Sequence, residues 1–144
     1  MIKKIIISVC ICFSCCFLFE KNVNAQEFFY EEVVEILDVN QISRYTKITT
    51  GKKTASIKNS SGKVLWYVSV TGTFTYTGSK ATCTKSVVEA EAKDSRWKIL
   101  SKSSSKTSNK ASATAIAGDY LDGTLIAKQT KTVTLTCSSS GKLS

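Results

Sequence analysis

Residues 64–77 read Val64-Leu65-Trp66-Tyr67-Val68-Ser69-Val70-Thr71-Gly72-Thr73-Phe74-Thr75-Tyr76-Thr77. The even positions are apolar apart from Gly72, and most odd positions are Thr or Ser. Side chains of an extended chain alternate between the two faces of a sheet, so this stretch predicts a long strand with one face in a core and the other in water. Gly72 allows a second reading, two strands bent at that residue.

The stretch is flanked by turn chemistry on both sides. Asn59-Ser60-Ser61-Gly62 precedes it and makes 54–58 its hairpin partner, while Gly78-Ser79 comes after it. Residues 80–92 give a further strand, with Cys83 on the parity of Ala81 and Val87. After Asp94-Ser95, residues 96–100 read as a short strand carrying Trp97 and Ile99 on one side. The Ser/Lys-rich residues 101–110 are expected to form a mobile hairpin loop. Ala111, Ala113, Ala115 and Ala117 then alternate with polar or branched residues, and 119–123 supply a turn. The last long strand, 123–137, carries Val133, Leu135 and Cys137 on one face and Thr130, Thr132, Thr134 and Thr136 on the other. Repeated strands of this kind predict an all-β domain over 41–144, an antiparallel β-sandwich that is immunoglobulin-like in general architecture. The order Cys83, Trp97, Cys137 matches the cysteine-tryptophan-cysteine order of immunoglobulin domains.

The N-terminal part has a different grammar. Lys3 and Lys4 precede an apolar run over 5–19, and Val23-Asn24-Ala25 offers small residues where a signal peptidase reads. Residues 1–25 therefore predict a secretory signal peptide cut after Ala25, too short in its apolar part for the roughly 20 residues of a spanning helix. Secretion makes the protein extracellular, and its charge makes association with the cell envelope an expectation. Cys10, Cys12, Cys15 and Cys16 leave with that peptide. Cys83 and Cys137 remain, and in an oxidising compartment two cysteines most simply pair, the other reading being two buried thiols.

Residues 26–40 are acidic and amphipathic. Phe29, Val33, Ile36 and Leu37 recur at a helical period, with Glu31, Glu35 and Asp38 on another face, which predicts a short N-terminal helix. An isolated helix of this length is marginal in water, so a docked helix, a disordered tail and a removable pro-segment all fit.

The chain carries 20 Lys+Arg against 11 Asp+Glu and no His. Glu27, Glu31, Glu32, Glu35 and Asp38 are concentrated in the acidic arm, so the body is strongly basic. Such a body attracts an anionic cell-wall polymer or a membrane surface, an attraction that weakens with salt. Lys98, Lys102, Lys106 and Lys110 are the candidate polyanion-binding residues. Specific nucleic-acid recognition is not expected, because only Arg44 and Arg96 offer bidentate base contacts and no reading motif is present.

The absence of His removes the usual general base and the commonest metal ligand, so no metal, cofactor or catalytic residue is expected. Glu89 and Glu91 share a strand face, and a solvated strand edge explains them better than a glycosidase pair. The threonine rows at 71–77 and 130–136 would suit ordered water only if adjacent and flat.

At Gly72-Thr73-Phe74-Thr75-Tyr76-Thr77-Gly78-Ser79, Cys83-Thr84, Val133-Thr134-Leu135-Thr136-Cys137 and Gly141 to Ser144, the chain resembles a group of small uncharacterised secreted proteins of Gram-positive Firmicutes. With Trp97 and Asn109-Lys110-Ala111, the resemblance spans roughly the last 80 residues. It implies a secreted β-domain with paired cysteines and no assigned activity. The functional expectation is a non-enzymatic binding or cell-envelope interaction module. The alternative is a secreted toxin or bacteriocin-like effector masked by residues 26–40.

Overall fold

The computed structural model describes residues 7–9 and 27–144, and among them there is no helix. The strands are β1 (Ile7–Val9), β2 (Phe29–Gln41), β3 (Lys47–Lys58), β4 (Val64–Tyr76), β5 (Ala81–Ala92), β6 (Trp97–Thr107), β7 (Lys110–Leu121) and β8 (Thr124–Thr136). They form two antiparallel sheets in the orders β1-β2-β3-β4-β5 and β6-β7-β8. The signal-peptide reading falls largely on residues outside the described ones. β1 lies within that segment, and β2 pairs with it on one side and with β3 on the other.

The long alternating stretch is a single strand. β4 continues through Gly72, which sits opposite Gly51 of β3 and Ser86 of β5. Trp66, Val68, Val70 and Phe74 are buried on its inner face, with Ala55 and Ile57 from β3 beside them. The second sheet contributes Trp97, the alternating alanines Ala111, Ala113, Ala115 and Ala117, and Val133, Leu135 and Cys137. Large side chains of one sheet thus meet small ones of the other, which lets the layers approach closely.

Each strand pairs only with its neighbours in sequence, so both sheets are meanders. An immunoglobulin domain instead contains a Greek key, in which a strand returns beside an earlier one. The cysteine-tryptophan resemblance fails for a spatial reason. Trp97 stacks on Trp66 with ring centroids 6.4 Å apart and meets Phe28 edge-on at 5.9 Å. Cys83 lies opposite Phe74, whereas Trp66 lies opposite Ala92, roughly 25 Å further along the strand.

Residues 29–41 form a strand, which corrects the expected helix. Phe28, Val34 and Ile36 pack against the core. The alternation is hidden in the sequence because Glu32 shares their parity, opposite the buried Ala55. Glu32 is accommodated by two lysines, Lys53 of β3 at 3.4 Å and Lys131 of β8 at 3.2 Å, so it links the two sheets. These cations, together with hydrogen bonding from Lys131, hold its carboxyl below the usual range against the opposing effect of burial. Glu31 pairs with Lys58, and Lys131 also lies 4.7 Å from the Tyr30 ring centre. A marginal helix loses to a strand that gains a ladder, aromatic and β-branched packing and complementary lysines.

Residues 101–110 are not a loop. β6 and β7 join through a two-residue turn, Ser108-Asn109, with Ser108 at φ 51°. β6 reads as loop in sequence because residues 100–107 are all exposed, as suits a lysine-bearing edge strand. The β7–β8 turn is Asp122-Gly123, both at positive φ, the signature of a type I′ hairpin. Arg96 closes the β5–β6 connection onto β7. Its Nε and Nη2 each donate to the buried Asp119 carboxylate at 3.0 Å.

Of the register shifts in the ladders, two decide which side chains face the site. The extra Thr84, where β5 pairs with Phe74 and Thr73, leaves Cys83 facing inward and turns Val87 outward. The extra Leu100 in β6 leaves Ile99 inward and reverses the facing of residues 101–107. The threonine rows lie on the outer faces of different sheets, on opposite sides of the molecule, so they do not form one surface.

Candidate functional site

The edges of β5 and β6 approach each other where the two sheets meet, without forming a ladder. At one end the amide of Cys83 donates to the carbonyl of Ser108 at 2.7 Å. Further along, the contacts are made by side chains. Lys106 Nζ donates to the Thr84 carbonyl at 2.8 Å, and Ser104 Oγ donates to the Ser86 carbonyl at 3.2 Å. Between them lies a shallow groove of about 320 Å³ lined by Thr84, Lys85, Ser86, Ser104, Ser105 and Lys106. Ser86 Oγ is buried and has no hydrogen-bond partner among the described residues.

The groove is where the Leu100 bulge matters. Lys102 and Lys106 lie opposite Ala115 and Ala111, on the side facing β5, while Lys98 lies opposite Gly118 on the outer face. There Lys98 covers the Tyr120 ring at 4.8 Å. Lys110 begins β7 at the end of the hairpin. The four lysines expected to act together are therefore split. Lys106 lines the groove and Lys102 lies on the same side of β6, whereas Lys98 and Lys110 face outward, Lys110 at the hairpin end. Lys85 joins Lys106 from β5, a neighbour that only the approach of the two sheets supplies.

The charge balance differs between this edge and the other side of the first sheet. Lys52, Lys53 and Lys58 are each paired with a glutamate. Lys85, Lys102, Lys106 and Lys110 have no ion pair among the described residues. Mid-strand lysines of β3 are thus neutralised, while those beside the β5–β6 groove are not ion-paired.

Glu89 and Glu91 sit on the outer face of the first sheet, both accepting from Tyr67 Oη, at 3.0 and 3.2 Å. Lys52 reaches Glu89 at 2.6 Å and Lys93 reaches Glu91 at 2.8 Å. Hydrogen bonds from these lysines and from Tyr67 hold both carboxyls below their usual range. Burial, together with the two carboxylates, pushes Tyr67 up to about 12. An acid catalyst needs a carboxyl held protonated near neutral pH, and this network does the reverse. Lys93 also lies 5.5 Å from the Tyr67 ring centre, so Tyr67, like Tyr120, has a lysine over one ring face.

Cys83 and Cys137 are buried thiols on either side of the Ser108-Asn109 turn, where the Cys137 amide donates to the Asn109 carbonyl at 3.0 Å. Asn109 Nδ2 donates back to the Cys137 carbonyl at 2.7 Å. Burial pushes both thiols up, and the proximity of Cys83 adds to the effect at Cys137. Among the described residues no group of His, Cys, Asp or Glu is arranged to hold a metal ion. Comparison with family models, curated proteins and solved structures finds no match for this chain.

Proposed function

We propose that this is a secreted, non-enzymatic module that binds the polyanionic cell envelope through the β5–β6 groove. The observation that carries the reading is the lining of the groove: Lys85 and Lys106 stand there with Ser86, Ser104 and Ser105, and neither lysine forms an ion pair among the described residues. A shallow groove with lysine ammonium groups and serine hydroxyls suits a linear polymer bearing repeated phosphate or carboxylate groups. Such a contact works by charge and tolerates variation along the polymer. The leader over 1–25 and the resemblance to secreted Firmicute proteins support the compartment.

Retention of the mature protein on intact Gram-positive cells or purified wall polyanion tests this. Binding is expected to fall steeply as salt rises, and Lys102→Ser with Lys106→Ser is expected to weaken it by about tenfold or more at low salt. Lys98→Ser, on the other face, is expected to have a much smaller effect. Retention indifferent to salt and to the groove lysines would overturn the mechanism.

We also propose that Cys83 and Cys137 pair after export. The flanking of one turn by both residues and the oxidising compartment support the bond. Two thiols lose two protons and two electrons to the compartment's thiol oxidant and form one S–S bond. It closes a loop of roughly 55 residues, a constraint of about 4 kcal/mol on the unfolded chain. The intact mass of secreted protein is expected to rise by two hydrogens on reduction. An unchanged mass would show that both remain thiols.

The masked-toxin alternative requires residues 26–40 to be removable. Their place as β2, with Phe28, Val34 and Ile36 on the core, favours retention.

A further inference from the structure

The loop between β2 and β3 is built to stay ordered while presenting apolar groups to solvent. The amides of Ile42 and Ser43 both donate to the Thr46 carbonyl at 3.1 Å, and Ser43 Oγ accepts from the Thr46 amide at 3.0 Å. Tyr45 is 75% exposed and Ile42 59% exposed at this tip, and Val39 behind them is 56% exposed. Leu37, the extra residue of the β2 bulge, is also exposed, at 41%. Apolar groups grouped on one hairpin end indicate a contact surface, since scattered exposure needs no explanation and grouped exposure does.

The turns at that end are basic. Arg44 lies in the tip itself, and Lys47 opens β3 opposite Tyr76 at the end of β4. Lys80 belongs to the β4–β5 turn. The Gly78 amide of that turn donates to the Ser139 carbonyl at 2.8 Å, bringing in the C-terminal turn that carries Lys142. Lys110 follows the β6–β7 turn, held here by the Cys83–Ser108 and Cys137–Asn109 backbone bonds. None of these cations forms an ion pair among the described residues. Asp38 is the carboxylate nearest this tip in sequence, and it accepts from Asn40.

We infer that this end of the molecule docks on an anionic lipid bilayer, with Ile42 and Tyr45 entering the interface and Arg44, Lys47, Lys80, Lys110 and Lys142 meeting the headgroups. The inference rests on the envelope reading above and gives it a second, lipid-facing contact distinct from the groove. A wall polymer satisfies the cations but offers no apolar phase for Ile42, Val39 and Tyr45. A bilayer interface satisfies both, with tyrosine at headgroup depth and basic residues drawn by the surface potential.

The test uses the full mature protein and vesicles of phosphatidylcholine with or without phosphatidylglycerol. Sedimentation with the anionic vesicles is expected, with little binding to phosphatidylcholine alone. Ile42→Asp with Tyr45→Asp is expected to weaken vesicle binding at least about tenfold while leaving retention on wall polyanion unchanged. As a second readout, the indole introduced by Tyr45→Trp is expected to shift its emission to the blue on anionic vesicles and to be quenched by brominated lipid. Vesicle binding unaffected by the double substitution, or indole emission at that position unmoved by bound vesicles, would overturn the inference. Binding to wall polyanion without binding to vesicles would overturn it alone, whereas binding to neither would overturn the envelope reading as well.

Discussion

A chain from which residues 26–41 have been deleted is expected to unfold at least about 20 °C below the mature protein, or to fail to fold. The deletion removes one of the two partner strands of β3 and exposes that edge. It takes Phe28 away from Trp97, and Val34 and Ile36 away from the inner face. Burial of such side chains contributes about 1.5–3 kcal/mol each when complete, so three partly buried ones account for about 3–5 kcal/mol. It also leaves Lys53 and Lys131, whose side chains are only 19% and 22% exposed, without Glu32 between them. Two half-buried cations without their shared anion repel each other and lose the compensation for their own desolvation. The sum, on the order of 5 kcal/mol, is comparable with the whole stability of a small domain. Thermal unfolding followed by circular dichroism would read it at about 4 °C per kcal/mol for a chain of this size. Nearly unchanged stability would make residues 26–41 dispensable and move the masked-toxin reading to first place.

Gly72→Val is expected to destabilise by more than about 3 kcal/mol, and Gly72→Ala by about 1–3 kcal/mol. A Cβ at this position falls 2.7 Å from Cε2 and Cζ of Phe74 and 2.8 Å from Cβ of Ala111. The phenyl ring can turn, but Ala111 Cβ is fixed to the backbone of β7 in the facing sheet. Relief therefore requires the sheets to separate locally. Gly51 lies directly across the ladder from Gly72, and a Cβ there collides with Leu143 Cδ1, so the neighbouring strand offers little room. Ala111→Gly combined with Gly72→Ala is expected to restore part of the loss, because one contact is counted in both single changes. Urea unfolding of the single and double variants measures the coupling. Additive losses would mean that the sheets do not meet at this point.

The strands legible in the sequence are those whose inner positions are all apolar. β4 alternates throughout apart from Gly72, and β7 displays its alanines without interruption. β2 is obscured by Glu32, whose inward place makes sense only once Lys53 and Lys131 arrive from β3 and β8. β6 is obscured because an exposed edge strand rich in Ser and Lys has the composition of a loop. Bulges at Thr84 and Leu100 carry no local signature, yet they decide that Val87 faces solvent and that Lys98 parts from Lys102. Lys106 can be named as a candidate from the recurrence of lysines along 98–110, but the strand that carries it and the serines beside it cannot. Nor can Lys85 and Ser86, because their proximity to Ser104 and Lys106 arises from the approach of one sheet to the other. The cysteine and tryptophan order suggests an arrangement that the meander topology does not produce, since order along a chain does not fix which side chains meet.

The groove mechanism is tested most directly by titrating isotope-labelled mature protein with inorganic polyphosphate at low salt while following each backbone amide by NMR. The account predicts that the largest shifts fall on Thr84, Lys85 and Ser86 and on Ser104, Ser105 and Lys106, and that they collapse as salt is added. Largest shifts on the outer face around Tyr67 and Glu89, or no saturable shifts at low salt, would contradict it.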